Sequence, residues 1–198
     1  MSFDPNDPLL ADFLNLCEHK LIHLTDEVIE NGIQPSSISG IQVNISHFPP
    51  RPGCVYLSCF GSSASVLKKN MLIVDADKLD PSLFRVDEDR FFAAYTWKLN
   101  LYEPQQDIPE SIMMRAKGQG DYLHQSQIYD PQWFNDVQEQ LDTPEQVLRS
   151  LAEGSCAYAG TIPQSAISEI IELKPSDKWK YFQTENFRTR SKNILSRY

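Results

Sequence analysis

The chain has 198 residues, with 18 Lys and Arg against 27 Asp and Glu, a formal net charge of −9. At 41% hydrophobic and 23% charged residues it has the composition of a globular protein long enough to bury its own core. No run approaches the about 18 apolar residues of a membrane-spanning helix, and the opening MSFDPNDPLLADF lacks the basic start and apolar stretch of a secretory leader, so a cytoplasmic protein is expected. In that compartment Cys17, Cys54, Cys59 and Cys156 are predicted to be free thiols, and their spacing matches no zinc pattern.

In chain order, Leu9, Leu10, Phe13, Leu14, Cys17 and Leu21 recur at helical spacing and predict a helix near 8–20 that packs one apolar face on a sheet. Lys20 to Thr25 reads as the end of that helix or as a short strand. Asp26 to Glu30 reads as further helix, stopped by Asn31-Gly32 with Pro35 beyond it. Strands are predicted near 40–48, 53–58, 70–75, 91–101, 155–159 and 168–173, with a short helix between Gly61 and Lys69. Residues 77–90 read as a polar excursion, and 104–130 as a long polar region of the kind that often carries function. Pro131 to Ala152 reads as helical, restarted at Thr143-Pro144-Glu145. Helices and strands alternate without a βαβ rhythm, so the expected class is α+β with mostly antiparallel strands.

Charge is unevenly spread. Residues 174–198 carry seven basic residues (Lys174, Lys178, Lys180, Arg188, Arg190, Lys192, Arg197) and two acidic ones, whereas residues 1–173 carry 11 basic and 25 acidic. The organisation expected is a domain over 1–173 followed by a basic tail over 174–198. That tail either meets a phosphate polymer or packs on its own acidic body. The acidic run Asp75, Asp77, Asp80, Asp87, Glu88 and Asp89 is expected to be a solvated face rather than a metal site.

Three separated segments carry a family resemblance. The first is Ile22-His23-Leu24-Thr25 followed by Gly32-Ile33-Gln34-Pro35. The second is Gly53-Cys54-Val55-Tyr56-Leu57-Ser58 followed by Ser62-Ser63-Ala64. The third is Glu153-Gly154-Ser155-Cys156-Ala157-Tyr158-Ala159-Gly160-Thr161-Ile162-Pro163 followed by Ala166-Ile167. In order and type these resemble the ADP-ribosyltransferase superfamily, which includes diphtheria-toxin-like transferases, DNA- and RNA-modifying toxins and the RNA 2′-phosphotransferases.

The resemblance implies two packed, mostly antiparallel sheets with flanking helices and an NAD-binding cleft between them, NAD being consumed as substrate. It implies that His23, Thr25, Tyr56, Ser58 and Ser63 bind NAD, with Tyr56 helping to form the nicotinamide slot. It further implies a transferase acting on a nucleic-acid or protein acceptor, with a toxin–antitoxin or phage-defence role and an antitoxin protein as partner. The chemistry is compatible: cleaving the glycosidic bond develops positive charge that a carboxylate stabilises, and aromatic walls hold a flat nicotinamide ring.

The carboxylate is where the chain departs from the family pattern. The place at which many members carry Glu falls near Ser155, and the nearest Glu is Glu153. Glu153 is the expected catalytic residue if the loop is longer here. If the Glu is absent, a non-enzymatic interaction protein on a degenerate scaffold is the alternative. RNA 2′-phosphotransferases use basic residues instead, for which Arg51, Lys68, Lys69, Arg115 and Lys117 are candidates. His23 and Tyr56 each also read as hydrogen-bonded core residues of apolar strands.

Overall fold

A computed structural model describes residues 3–26, 30–35, 53–59, 68–87, 142–174 and 184–197. The strands expected over 40–48 and 91–101, the helix over Gly61–Lys69 and the helical reading of 131–141 lie wholly or largely outside these residues.

Helix α1 spans Pro8–Leu16. It starts where the Asp7 carboxylate accepts the Leu9 N–H at 2.8 Å and Pro8 occupies the first turn, where its missing N–H costs nothing. It ends in two left-handed residues, Glu18 (φ 52°) and His19 (φ 60°), which turn the chain directly into strand β1, Lys20–Thr25. The ambiguous segment is therefore a strand. Strand β2 follows at Cys54–Cys59, β3 at Asn70–Asp75 and β4 at Phe84–Val86. Helix α2 is Pro144–Ala152, β5 Ser155–Ala159, β6 Ile167–Glu172 and α3 Glu185–Leu195.

The six strands form one antiparallel sheet in the order β4-β5-β2-β1-β3-β6. This agrees with the α+β class. Among the described residues the strands form this single sheet, in which β1 pairs with both β2 and β3; the second sheet expected from the resemblance is not seen among them.

Strand alternation gives the sheet two unlike faces. On the first, Leu21, Val55, Leu57, Leu72, Val74, Phe84, Val86, Cys156 and Tyr158 meet Phe13, Leu16, Val147, Leu148, Leu151, Phe187 and Ile194 of the three helices. Phe3, Phe13, Phe84 and Tyr158 form a chain of ring contacts through this core, with centroids 5.1, 4.5 and 5.4 Å apart. The four cysteines are free and buried. Burial pushes the Cys17 thiol up to about 12 and raises those of Cys59 and Cys156 as well.

The second face changes character along the sheet. Across β1, β3 and the end of β6 it is aliphatic, with Ile22, Met71, Ile73 and Leu173 clustered beside Leu24 and Ile171. Across β2, β5 and β4 the residues of the same parity are Tyr56, Ser58, Ser155, Ala157 and Arg85, which are polar or small.

The C-terminal segment is no free tail in its described part. Thr184 caps α3 by accepting the Phe187 N–H at 3.2 Å. Phe187 and Ile194 are buried in the same core as α1 and α2, and Ser191 Oγ donates to the Ala152 carbonyl at 2.6 Å. Arg190 pairs with Glu18, and Arg197 with Asp12 at 3.0 Å. Apolar anchoring and pairing with the acidic body thus account for its attachment. Phe187, Ser191 and Ile194 at positions i, i+4 and i+7 were the sequence signal for this helix.

Candidate functional site

The sheet parts between β1 and β2. Their pairing runs only through Leu21↔Cys59 and Ile22↔Ser58. Beyond that apex β1 stays paired with β3 through Thr25↔Asn70, and β2 with β5 through Cys54↔Ala159. Each lip is held by its outer neighbour. His23, Leu24 and Thr25 lie on one lip, and Cys54 to Leu57 on the other.

His23 bridges the parting. Its Nδ1 stands 2.9 Å from the main-chain carbonyl oxygen of Tyr56. A carbonyl oxygen only accepts, so Nδ1 carries the proton, and in the neutral ring Nε2 is the acceptor. His23 lies opposite Leu72 in the β1–β3 ladder, on the helix-packed side of β1. Tyr56 lies opposite Ala157, on the second face. The two side chains thus leave opposite faces at one level of the sheet, and the imidazole and the Tyr56 backbone close the gap between them. Both residues are half-buried; Thr25, opposite Asn70, is buried, and Ser58, at the apex, is half-buried. Ser63 lies outside the described residues, as do Arg51, Arg115 and Lys117.

The two Gly-containing segments of the resemblance meet in space. Ile33 and Ile162 exchange backbone hydrogen bonds, both 2.9 Å, across an isolated antiparallel bridge. The Gly32 N–H donates to Gln164 Oε1 at 3.1 Å, and Thr161 Oγ1 donates to Gln34 Oε1 at 3.0 Å. Gly32 has φ +81°, and a Cβ there would stand 2.3 Å from the Ile162 carbonyl oxygen. Only glycine allows this approach. The segment after β1 is thereby tied to the turn after β5.

Glu153 is the C-cap residue of α2 and is exposed. It precedes Gly154, whose carbonyl accepts the Cys59 N–H at 3.0 Å. This is the closed end of the β1–β2 pairing. The structure brings the His23 side chain onto the Tyr56 main chain, and Glu153 stands exposed at the end of α2. Among the basic candidates, Lys68 pairs with Asp26 at 2.9 Å and both Lys68 and Lys69 are exposed just before β3.

A polar network that the sequence reading missed surrounds the Ser155 position. Ser155 Oγ donates to Asp87 Oδ2. The Asp87 N–H donates to Ser150 Oγ at 2.9 Å, and Ser150 Oγ donates to the Ser155 carbonyl at 2.8 Å. All three residues are buried, Asp87 with 7% of its surface exposed. Asp87 is therefore no part of a solvated acidic face. Its signal was the alternation Phe84-Arg85-Val86-Asp87, a short strand inside the segment read as a polar excursion. One residue-pair away on the same face, Arg85 Nη1 donates to the Ser82 and Phe84 carbonyls at 2.7 Å, and its Nε lies 3.5 Å from the Asp142 carboxylate.

Asp75 and Tyr158 complete the perturbed groups near the sheet ends. Lys20 and Lys78 beside Asp75 hold its carboxyl down at about 2. Burial raises the Tyr158 phenol, whose oxygen accepts the Asp80 N–H at 3.2 Å.

Compared with the known protein families, with curated proteins and with solved structures, the chain matches none.

Proposed function

We propose that the chain is an ADP-ribosyltransferase-like enzyme that consumes NAD and transfers ADP-ribose to a nucleic-acid or protein acceptor. One observation supports this best: the antiparallel sheet parts in its middle at the strand pair bearing His23 and Tyr56, where His23 Nδ1 meets the Tyr56 carbonyl at 2.9 Å.

Tyr56 supplies an aromatic wall for the nicotinamide ring. His23, whose Nδ1 meets the Tyr56 carbonyl, is assigned to the ribose by the family resemblance. Thr25 and Ser58 add hydroxyls on either side, and Ser63 is assigned to the ribose by the family resemblance. The chemistry belongs in the cytoplasm, where NAD is plentiful, and suits a toxin–antitoxin or phage-defence effector held in check by an antitoxin protein. Arg190 and Arg197 are engaged with Glu18 and Asp12, which shifts the weight of acceptor binding away from α3.

The second reading is a non-enzymatic interaction protein on the same scaffold. The observation favouring it is the exposed position of Glu153 at the end of α2.

Incubation with NAD labelled in the nicotinamide and in the adenylate, with DNA, RNA and protein as acceptors, tests the proposal. Free nicotinamide and an adenylate-labelled acceptor are expected. Binding of NAD without nicotinamide release supports the interaction protein, and absence of both removes the NAD reading.

A further inference from the structure

We infer that Asp87, not Glu153, is the carboxylate that faces the reacting ribose, and that Ser155 is its positioning residue. This rests on the NAD-consuming reading above.

Ile22↔Ser58 is the last pair that joins β1 to β2. Ser58 pairs in turn with Ser155 of β5. The β4–β5 register runs from Phe84↔Tyr158 to Val86↔Cys156, and one residue beyond it the Ser155 hydroxyl donates to the Asp87 carboxylate. Asp87, Ser155 and Ser58 therefore form one cross-strand row on the second face, level with the apex. The adjacent row is Arg85, Ala157 and Tyr56. Tyr56 and the carboxylate share one face, offset by two residues along the strands and by two strand spacings across β5, about 12 Å between backbones, a span that their side chains narrow. Glu153 lies beyond the row, at a helix end and in solvent.

The chemistry favours the buried group. Nicotinamide leaves with the electron pair of the bond to ribose C1′, which neutralises its ring. The acceptor forms the new bond to C1′ and releases its proton to solvent. Positive charge grows on the ribose between these events. A carboxylate with little water around it stabilises that charge far better than one exposed at a helix end. A mobile carboxylate would have to be oriented during the reaction. Asp87 is held beforehand from both ends, its carboxylate by Ser155 and its N–H by Ser150, which itself is fixed on the Ser155 carbonyl at 2.8 Å. The residue at the family's Glu position thus has a use: its hydroxyl orients a carboxylate contributed by the neighbouring strand.

The test uses the full chain and measures nicotinamide release from NAD, NAD binding by calorimetry and the melting temperature for the wild type, Asp87→Asn, Ser155→Ala, Ser155→Thr and Glu153→Gln. Expected are a loss of at least about 100-fold in kcat for Asp87→Asn with NAD binding within a few-fold, and a change below about threefold for Glu153→Gln. Ser155→Ala is expected to lower kcat about tenfold at constant KM, with Ser155→Thr restoring it. A purely structural Ser155 would move melting temperature without this split. Should Asp87→Asn fail to fold, the Ser155 pair carries the test alone. Full activity in folded Asp87→Asn, or a 100-fold loss in Glu153→Gln, overturns the assignment while leaving the NAD reading intact. A wild type that binds NAD but never releases nicotinamide overturns both.

Discussion

The His23 imidazole donates from Nδ1 to the main-chain carbonyl of Tyr56 across 2.9 Å, just beyond the last ladder pair of β1 and β2, Ile22↔Ser58. A side chain thereby stands in for a missing sheet hydrogen bond. His23→Ala leaves the Tyr56 carbonyl short of this donor and is expected to cost about 1–3 kcal/mol of stability. His23→Asn, which keeps an N–H donor on a shorter side chain, should recover part of it. Urea unfolding measures both, and equal losses in the two variants would show that the hydrogen bond is not the source.

Gly32 and Gly53 both have positive φ, +81° and +77°, but only at Gly32 would a Cβ meet backbone, 2.3 Å from the Ile162 oxygen. Gly53→Ala should cost about 1–2 kcal/mol, the price of the left-handed conformation alone. Gly32→Ala adds a clash that must break the Ile33–Ile162 bridge and is expected to cost on the order of 3 kcal/mol or more. Chemical denaturation of the two variants side by side checks the difference.

Asp75 carries a pH dependence of stability. Its carboxyl is held down at about 2 from an ordinary 3.8, first by Lys20 and then by Lys78. A depressed folded-state value means that the stabilisation is present above about pH 4 and is lost as pH falls toward 2. Both lysines reach solvent, at 44% and 52% side-chain exposure, so screening reduces the contribution to about 1 kcal/mol. Asp75→Asn should lower the melting temperature at pH 6 and have little effect at pH 2. A constant difference across that range would refute the linkage.

The core thiols should be inert. With Cys17 pushed up to about 12 and Cys59 and Cys156 raised, almost no thiolate exists at neutral pH, and all four cysteines are buried. Reaction with a disulfide reagent at pH 8 is expected to follow unfolding rather than precede it. Labelling of any of the three in seconds under native conditions would contradict the packing.

Helix α3 should behave as core, not tail. Phe187 is fully buried, and Phe187→Ala is expected to cost about 3–5 kcal/mol. Arg197→Ala, which removes a pair with half-exposed Arg197 at the surface, should cost under about 1 kcal/mol. Thermal melts of the two variants distinguish an anchoring helix from a charge-held appendage.

Sequence alone determined the local pieces wherever one residue's chemistry settles its own backbone. Asp7-Pro8 and Thr143-Pro144 start helices because a side-chain acceptor and a ring-locked φ act within four residues. Runs such as Met71 to Val74, and Cys156 to Tyr158, are strands because they must be covered on both faces, and all the residues of such a run speak together. The pairing of Gly32-Ile33-Gln34-Pro35 with Gly160-Thr161-Ile162-Pro163 was not legible in the sequence. Contact between segments so far apart leaves no mark on either one's periodicity.

Tertiary structure alone decided the rest, because strand parity and register depend on partners far away in the chain. Leu24-Thr25 resembles the helix before it until β3 pairs with it, from Lys20↔Asp75 to Thr25↔Asn70. His23 and Tyr56 appear as two apolar-strand residues until register sends their side chains to opposite faces and leaves an imidazole on a carbonyl. Asp87 looks like one more acid in an acidic run until β4 pairs with β5 and burial against Ser155 removes it from solvent. Charge and composition are additive along a chain. The environment of a single carboxylate is not, since it is set by which strand lies beside it.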